Sequence, residues 1–119
     1  PTPLFMKAEE SFEQIADNGR CPTSEEWEQM HAYLCCIYPG LTSFLEKHQG
    51  ALNNTELQLC LLTCTNIRQK QVATLLSVSP QNLRNLKVRL YAKLTGQECS
   101  SVQMFSDFIK EGVKPTPTE

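Results

Sequence analysis

Apolar residues recur along this chain every three or four positions, the period of helices that bury one face. Phe5, Ala8, Phe12 and Ile15 form one stripe of a helix from Leu4 to Asp17. Its near-heptad spacing suits continuation of an upstream coiled coil. Asn18-Gly19 ends that helix, because glycine takes the left-handed cap conformation without strain. The stretch CPTSEEWEQM starts a second helix. Thr23 and Glu26 have capping-box spacing, and Glu25 and Glu26 suit the positive end of a helix. Trp27, Met30, Leu34 and Ile37 line one side until Pro39-Gly40 stops the run. A short helix from Leu41 to His48 follows, closed by Gln49-Gly50.

The central segment is apolar on more than one side. Asn53 is a capping residue with Glu56 three positions on. Leu57, Cys60, Leu61 and Cys64 share a stripe, while Leu59 and Leu62 point elsewhere. A helix apolar on two sides is buried on two sides. This one is therefore expected between the N-terminal helices and those that follow. Arg68 to Leu76 predicts a shorter helix with Val72, Ala73 and Leu76 inward. Ser77-Val78-Ser79 breaks it; Ser79 is an N-cap residue, and Pro80 fits the first helical position. The next helix runs to about Leu94, turns Leu83, Leu86, Leu90 and Leu94 inward, and ends at Gly96. A last helix spans about Ser101 to Lys110, and residues 112–119 read as a frayed tail. No strand candidate is longer than a few residues. The expected fold class is all-α: a helical N-terminal extension over residues 1–50, packed on a helical bundle over 51–111.

Charge changes the picture at the helix opening at Ser79. The chain carries a net charge of -2. Yet Arg68, Lys70, Arg84, Lys87, Arg89 and Lys93 share the stretch from Leu57 to Gln97 with no Asp or Glu. A merely solvated helix mixes Glu and Lys in i,i+4 pairs. Here, with the leucines inward, the outward arc carries Gln81, Arg84, Asn85 and Val88, flanked by Arg89 and continued by Ala92. Arg forks onto guanine, Asn or Gln onto adenine, and a small apolar group meets a thymine methyl. A helix start also offers backbone N–H groups to a phosphate. Two short helices joined by a tight turn make the helix-turn-helix unit, whose second helix lies in the major groove of double-stranded DNA. The expected base-reading residues are Gln81, Arg84, Asn85 and Val88. The expected DNA backbone contacts are Arg68, Lys70, Ser79, Lys87, Arg89 and Lys93. Lys87 and Lys93 would reach the strand by stretching their stems over the leucines.

The cysteines point away from catalysis. There are six. Cys35 and Cys36 are adjacent, Cys60 and Cys64 lie one helical turn apart, and Cys21 and Cys99 add no C-x-x-C pair. His31 and His48 complete no zinc spacing. Core or incidental thiols are expected, with no metal, no cofactor and no enzymatic activity. Reduced thiols suit a cytoplasmic location. No apolar run approaches the roughly 18 residues that span a bilayer. The chain opens on Pro1, so a longer protein is expected, with any membrane span or signal upstream.

At these same residues the sequence resembles the LuxR-type (GerE-like) DNA-binding domain of bacterial transcription regulators. LNNTE (52–56), KQVATLLSVS (70–79), NLR (82–84) and AKL (92–94) stand in the order and spacing of that family's motif. The resemblance covers about Leu52 to Phe108. It implies base reading by Arg84, Asn85 and Val88 and backbone contacts near Lys70, Ser79 and Lys93. There are departures. Arg68 stands where a capping Ser or Thr is usual, Ser77 replaces a turn glycine, and Leu86 occupies a position often polar. The resemblance also implies a homodimer contact through the last helix, where Val102, Phe105 and Phe108 either make it or complete the core. The wider stretch from Glu25 to Leu62 is similar to the C-terminal end of larger bacterial regulators, which implies an upstream sensor region in the same chain.

The alternative is a helical protein–protein docking module, contacting a sensor or RNA polymerase, without DNA binding of its own. Trp27, Tyr33 and Tyr38 in the acidic N-terminal half supply such a surface. A groove reader loses affinity steeply with salt, whereas a docking module binds no duplex.

Overall fold

The computed structural model describes residues 3–114, with side chains from Lys7 onward. The Phe5 side chain and the tail from Pro115 lie outside the described residues. Seven helices account for the regular structure there, and no strand is present among the described residues. They are α1 (Pro3–Asp17), α2 (Ser24–Ile37), α3 (Leu41–Lys47), α4 (Asn54–Thr63), α5 (Gln69–Leu75), α6 (Pro80–Thr95) and α7 (Val102–Gly112). The chain is all-α.

Local chemistry sets most of the boundaries. In α2 and α4 both halves of a capping box form: Thr23 with Glu26, and Asn53 with Glu56. Each pair satisfies two backbone donors that a helix start otherwise leaves open. Gly19 and Gly96 take the left-handed conformation at the ends of α1 and α6. α5 starts at Arg68 with no side-chain cap, as its missing Ser or Thr implies.

The core is one continuous cluster. It runs from Phe12 and Ile15 through Met30, Leu34 and Phe44 to α4, and on to Leu75, Leu83, Leu90, Phe105 and Ile109. α4 is its axis. Leu59, Cys60, Leu61 and Leu62 are all buried, so every side of that helix meets protein. α2 lies against it on one side and α7 on another. α1 packs on both α2 and α5, and so ties the N-terminal extension to the bundle. Gln71 donates from Nε2 to Asp17 across that contact (3.2 Å), and the Asn66 N–H donates to Glu9.

Three sequence expectations change. First, the last helix does not fray at residue 112. It extends to Gly112, and Val113 is buried behind it. Glycine is needed there because a Cβ at Gly112 would lie 2.6 Å from the Phe44 ring. Gly40 meets the same region, where a Cβ would lie 2.3 Å from the Lys114 carbonyl oxygen. Second, Phe105 has no exposed surface, and Phe108 is ringed by Phe44, His48 and Tyr91 at 5.8, 6.3 and 5.8 Å between centroids. Phe105 belongs to the core and is closed to a second copy in this arrangement, while Phe108 and Val102 are half-buried. Third, α6 buries Leu83, Lys87, Leu90 and Tyr91, while Leu86 and Leu94 are only partly covered. The periodicity gives a leucine seam. The neighbours of α6 decide which flanking residues are covered: Phe108 of α7 packs on Tyr91, and Gln69 at the start of α5 takes Lys87.

Candidate nucleic-acid interface

α5 and α6 pack on each other across a tight turn. The turn depends on Ser77, the one described non-glycine residue with a positive φ, at 56°. That is the left-handed region where glycine is at ease. Ser77 is held there by the Val78 N–H donating to the Ala73 carbonyl (2.9 Å) and by a 2.8 Å contact between its Oγ and the Cys21 Sγ.

α6 then begins with Ser79, whose hydroxyl oxygen accepts from the Asn82 N–H at 3.1 Å. Pro80 has no donor, and the Leu83 N–H is taken by the Ser79 carbonyl. The Gln81 N–H is the donor left at this end. The positive pole of the helix dipole stands beside it, with no acid in the first turn.

Gln81, Arg84, Asn85 and Val88 are all exposed along one side of α6, and Arg89 and Ala92 extend the surface. Val88 is 38% exposed and is the large hydrophobic side chain most open to solvent among the described residues. Gln81 donates from Nε2 to Asn85 Oδ1 at 3.2 Å. That bond uses neither the Asn85 amide donors nor the Gln81 amide oxygen. No helix of the N-terminal extension covers this side.

The expected backbone contacts separate into two groups. Arg68, Lys70, Ser79 and Arg89 are exposed. Lys87 is buried, and Lys93, though exposed, is paired within the protein. Lys87 is 5% exposed, and its ammonium donates to Gln69 Oε1. Burial, and then the nearby Arg84 cation, lower its pKa. Lys93 pairs with Glu56 at 2.8 Å. The cations of residues 57–97 are thus not all unopposed, because α4 brings a carboxylate from just outside that stretch. Burial would raise the Glu56 pKa, but the hydrogen bonds from Lys93 and from the Asn53 N–H, with the charges of Lys93 and Arg89, hold it below its ordinary value.

Gln69, Lys70, Gln81, Arg84, Lys87 and Val102 frame a groove of about 480 Å³ between the starts of α5, α6 and α7. It holds three cations and no acid. Gln69, Val102 and Glu56 are the participants that sequence reasoning missed. Each joins the others only through tertiary contact, and no local pattern marks it.

The thiols are poor nucleophiles in the core. Burial pushes Cys60 and Cys64 up to about 12, so both stay protonated near neutrality. Among the described residues, no grouping of His, Cys, Asp and Glu is arranged to hold a metal, and no helix is long and apolar enough to cross a membrane. Comparison with family models, with curated proteins and with solved structures finds no match.

Proposed function

We propose that this chain binds double-stranded DNA in a sequence-specific manner, as the output part of a bacterial transcriptional regulator of LuxR-like type. In this reading α5 and α6 are a helix-turn-helix, and α6 lies in the major groove. One observation carries it: Gln81, Arg84, Asn85 and Val88 form an exposed, acid-free row of base-edge chemistries on a helix whose other side is core. Exposed Arg68, Lys70 and Arg89 supply phosphate neutralisation around that row. The Gln81 N–H and the dipole at the start of α6 supply a further phosphate contact. Lys93, already paired with Glu56, contributes less than its charge suggests. The upstream sensor region and the cytoplasmic setting belong to the same proposal.

Selection of bound duplexes from a random pool tests this reading. One preferred sequence, with log K falling linearly against log salt, is the expected result. A chain that enriches no sequence and binds no duplex at low salt is instead a protein-docking module, and the reading fails.

A further inference from the structure

We propose that the partly open cavity bordered by the α4–α5 loop, α5, α6 and α7 binds a small oxyanion, of the size and charge of inorganic phosphate, between buried Lys87 and exposed Lys110 at its rim. This site is separate from the outward row on α6 and does not rest on DNA binding.

The cavity measures about 60 Å³. That admits more than one water or a single small anion, but not a sugar-phosphate chain. Its polar wall is Thr63, Thr65, Gln69, Lys87, Ser106 and Lys110, over an apolar floor from α4 and Val72. The balance of donors and acceptors is one-sided. The Thr63 and Thr65 hydroxyls donate to the carbonyls of Leu59 and Leu62, so their hydrogens are used. Lys87 gives one N–H to Gln69 and has two left. Accepting that bond turns the Gln69 amide so that its NH2 group is also unspent. The Ser106 hydroxyl and Lys110 add further donors. No carboxylate lines the cavity.

Lys87 makes the argument specific. It is 5% exposed, in the inward row of α6 between Leu83 and Leu90, and its partner is a neutral amide. An ammonium taken out of water is stable only when neutralised or paired with a charge. Water filling the cavity would supply acceptors without charge. An oxyanion supplies both. It would also tie α6 to α7 and to the loop ahead of α5.

The test compares melting temperatures in chloride and in inorganic phosphate at matched ionic strength, for the natural chain and for Lys87→Met. Methionine fits this apolar seam and keeps an unbranched stem. Phosphate well above its Kd is expected to raise the melting temperature of the natural chain by on the order of 5 °C more than that of Lys87→Met, which feels only the general salt effect of phosphate. Equal shifts in both, or none in either, overturn the site. A second measurement needs no variant. The Lys87 ammonium resonance should shift and saturate as phosphate is titrated, and its failure to respond overturns the proposal. A response of Lys87 to DNA duplex, with none to phosphate, assigns the group to a nucleic-acid backbone and overturns the site equally.

Discussion

α4 and α6 both open on a polar cap, yet they end in opposite roles. α4 closes its own start with Glu56, and that carboxylate also takes Lys93. Its next turn, Leu59 to Leu62, is buried on every side. α6 is capped by Ser79, a neutral hydroxyl, and the charge of its first turn is left uncompensated. One of its sides is core, and the other is wet and free of acids. The lesson is that an N-cap fixes where a helix begins, whereas the sign of the capping group and the neighbours of the helix decide whether that start is spent inside the protein or offered outside.

Substitutions can break this contrast, beginning with the largest effect. Leu62→Ala, at a side chain 1% exposed in α4, should cost about 2–5 kcal/mol in denaturant unfolding and leave any duplex preference unchanged. A loss under about 1 kcal/mol would mean that α4 is not the axis of the core. Arg84→Ala on α6 should do the reverse. Stability should stay within about 0.5 kcal/mol, while binding to the preferred duplex loses about 1–3 kcal/mol and one base position relaxes. Unchanged selectivity would show that Arg84 does not face bases. Ser79→Ala removes the cap of α6 and should cost about 1 kcal/mol of stability, read from the urea midpoint at constant m.

Acid separates the two kinds of cap by a smaller margin. The hydrogen bond from Arg20, with the Thr23 N–H, holds Glu26 of α2 at about 2, and Glu56 of α4 also lies below its ordinary value. A carboxylate with a depressed folded pKa stabilises the fold above its unfolded pKa, and that contribution fades as pH falls through the folded value. As pH falls below about 4.5 the starts of α2 and α4 should therefore loosen, that of α2 over a range reaching down to about 2, while the hydroxyl cap of α6 does not titrate. Hydrogen exchange is the measurement. Amide protection at Thr23 and Asn53, whose N–H groups donate to those carboxylates, should drop at higher pH than at Asn82, and the opposite order would contradict the assignment of these caps.

Much of the fold was legible in local chemistry. Thr23 with Glu26, Asn53 with Glu56, Ser79-Pro80 and Gly96 each marked a helix boundary that the structure keeps, because capping is satisfied within a few residues. The exposed row on α6 was legible for a similar reason: its four members lie on one side whenever the leucines turn inward. The fate of the lysines was not legible. Whether Lys87 is free depends on Gln69 of α5, 18 positions away, and whether Lys93 is free depends on a carboxylate 37 positions away. The end of α7 was not legible either, because Gly112 reads as a stop in isolation, whereas it is the gap that admits Phe44.

The sequence by itself determined the seven helices of the described residues, the side-chain caps of α2, α4 and α6, and the apolar side of most of them, since these follow from neighbours within one or two turns. The tertiary structure alone decided which flanking residues of α6 are covered, which cations are neutralised and where a donor-rich cavity forms. Those outcomes depend on burial and on charges brought together by packing, and neither is encoded at any single position.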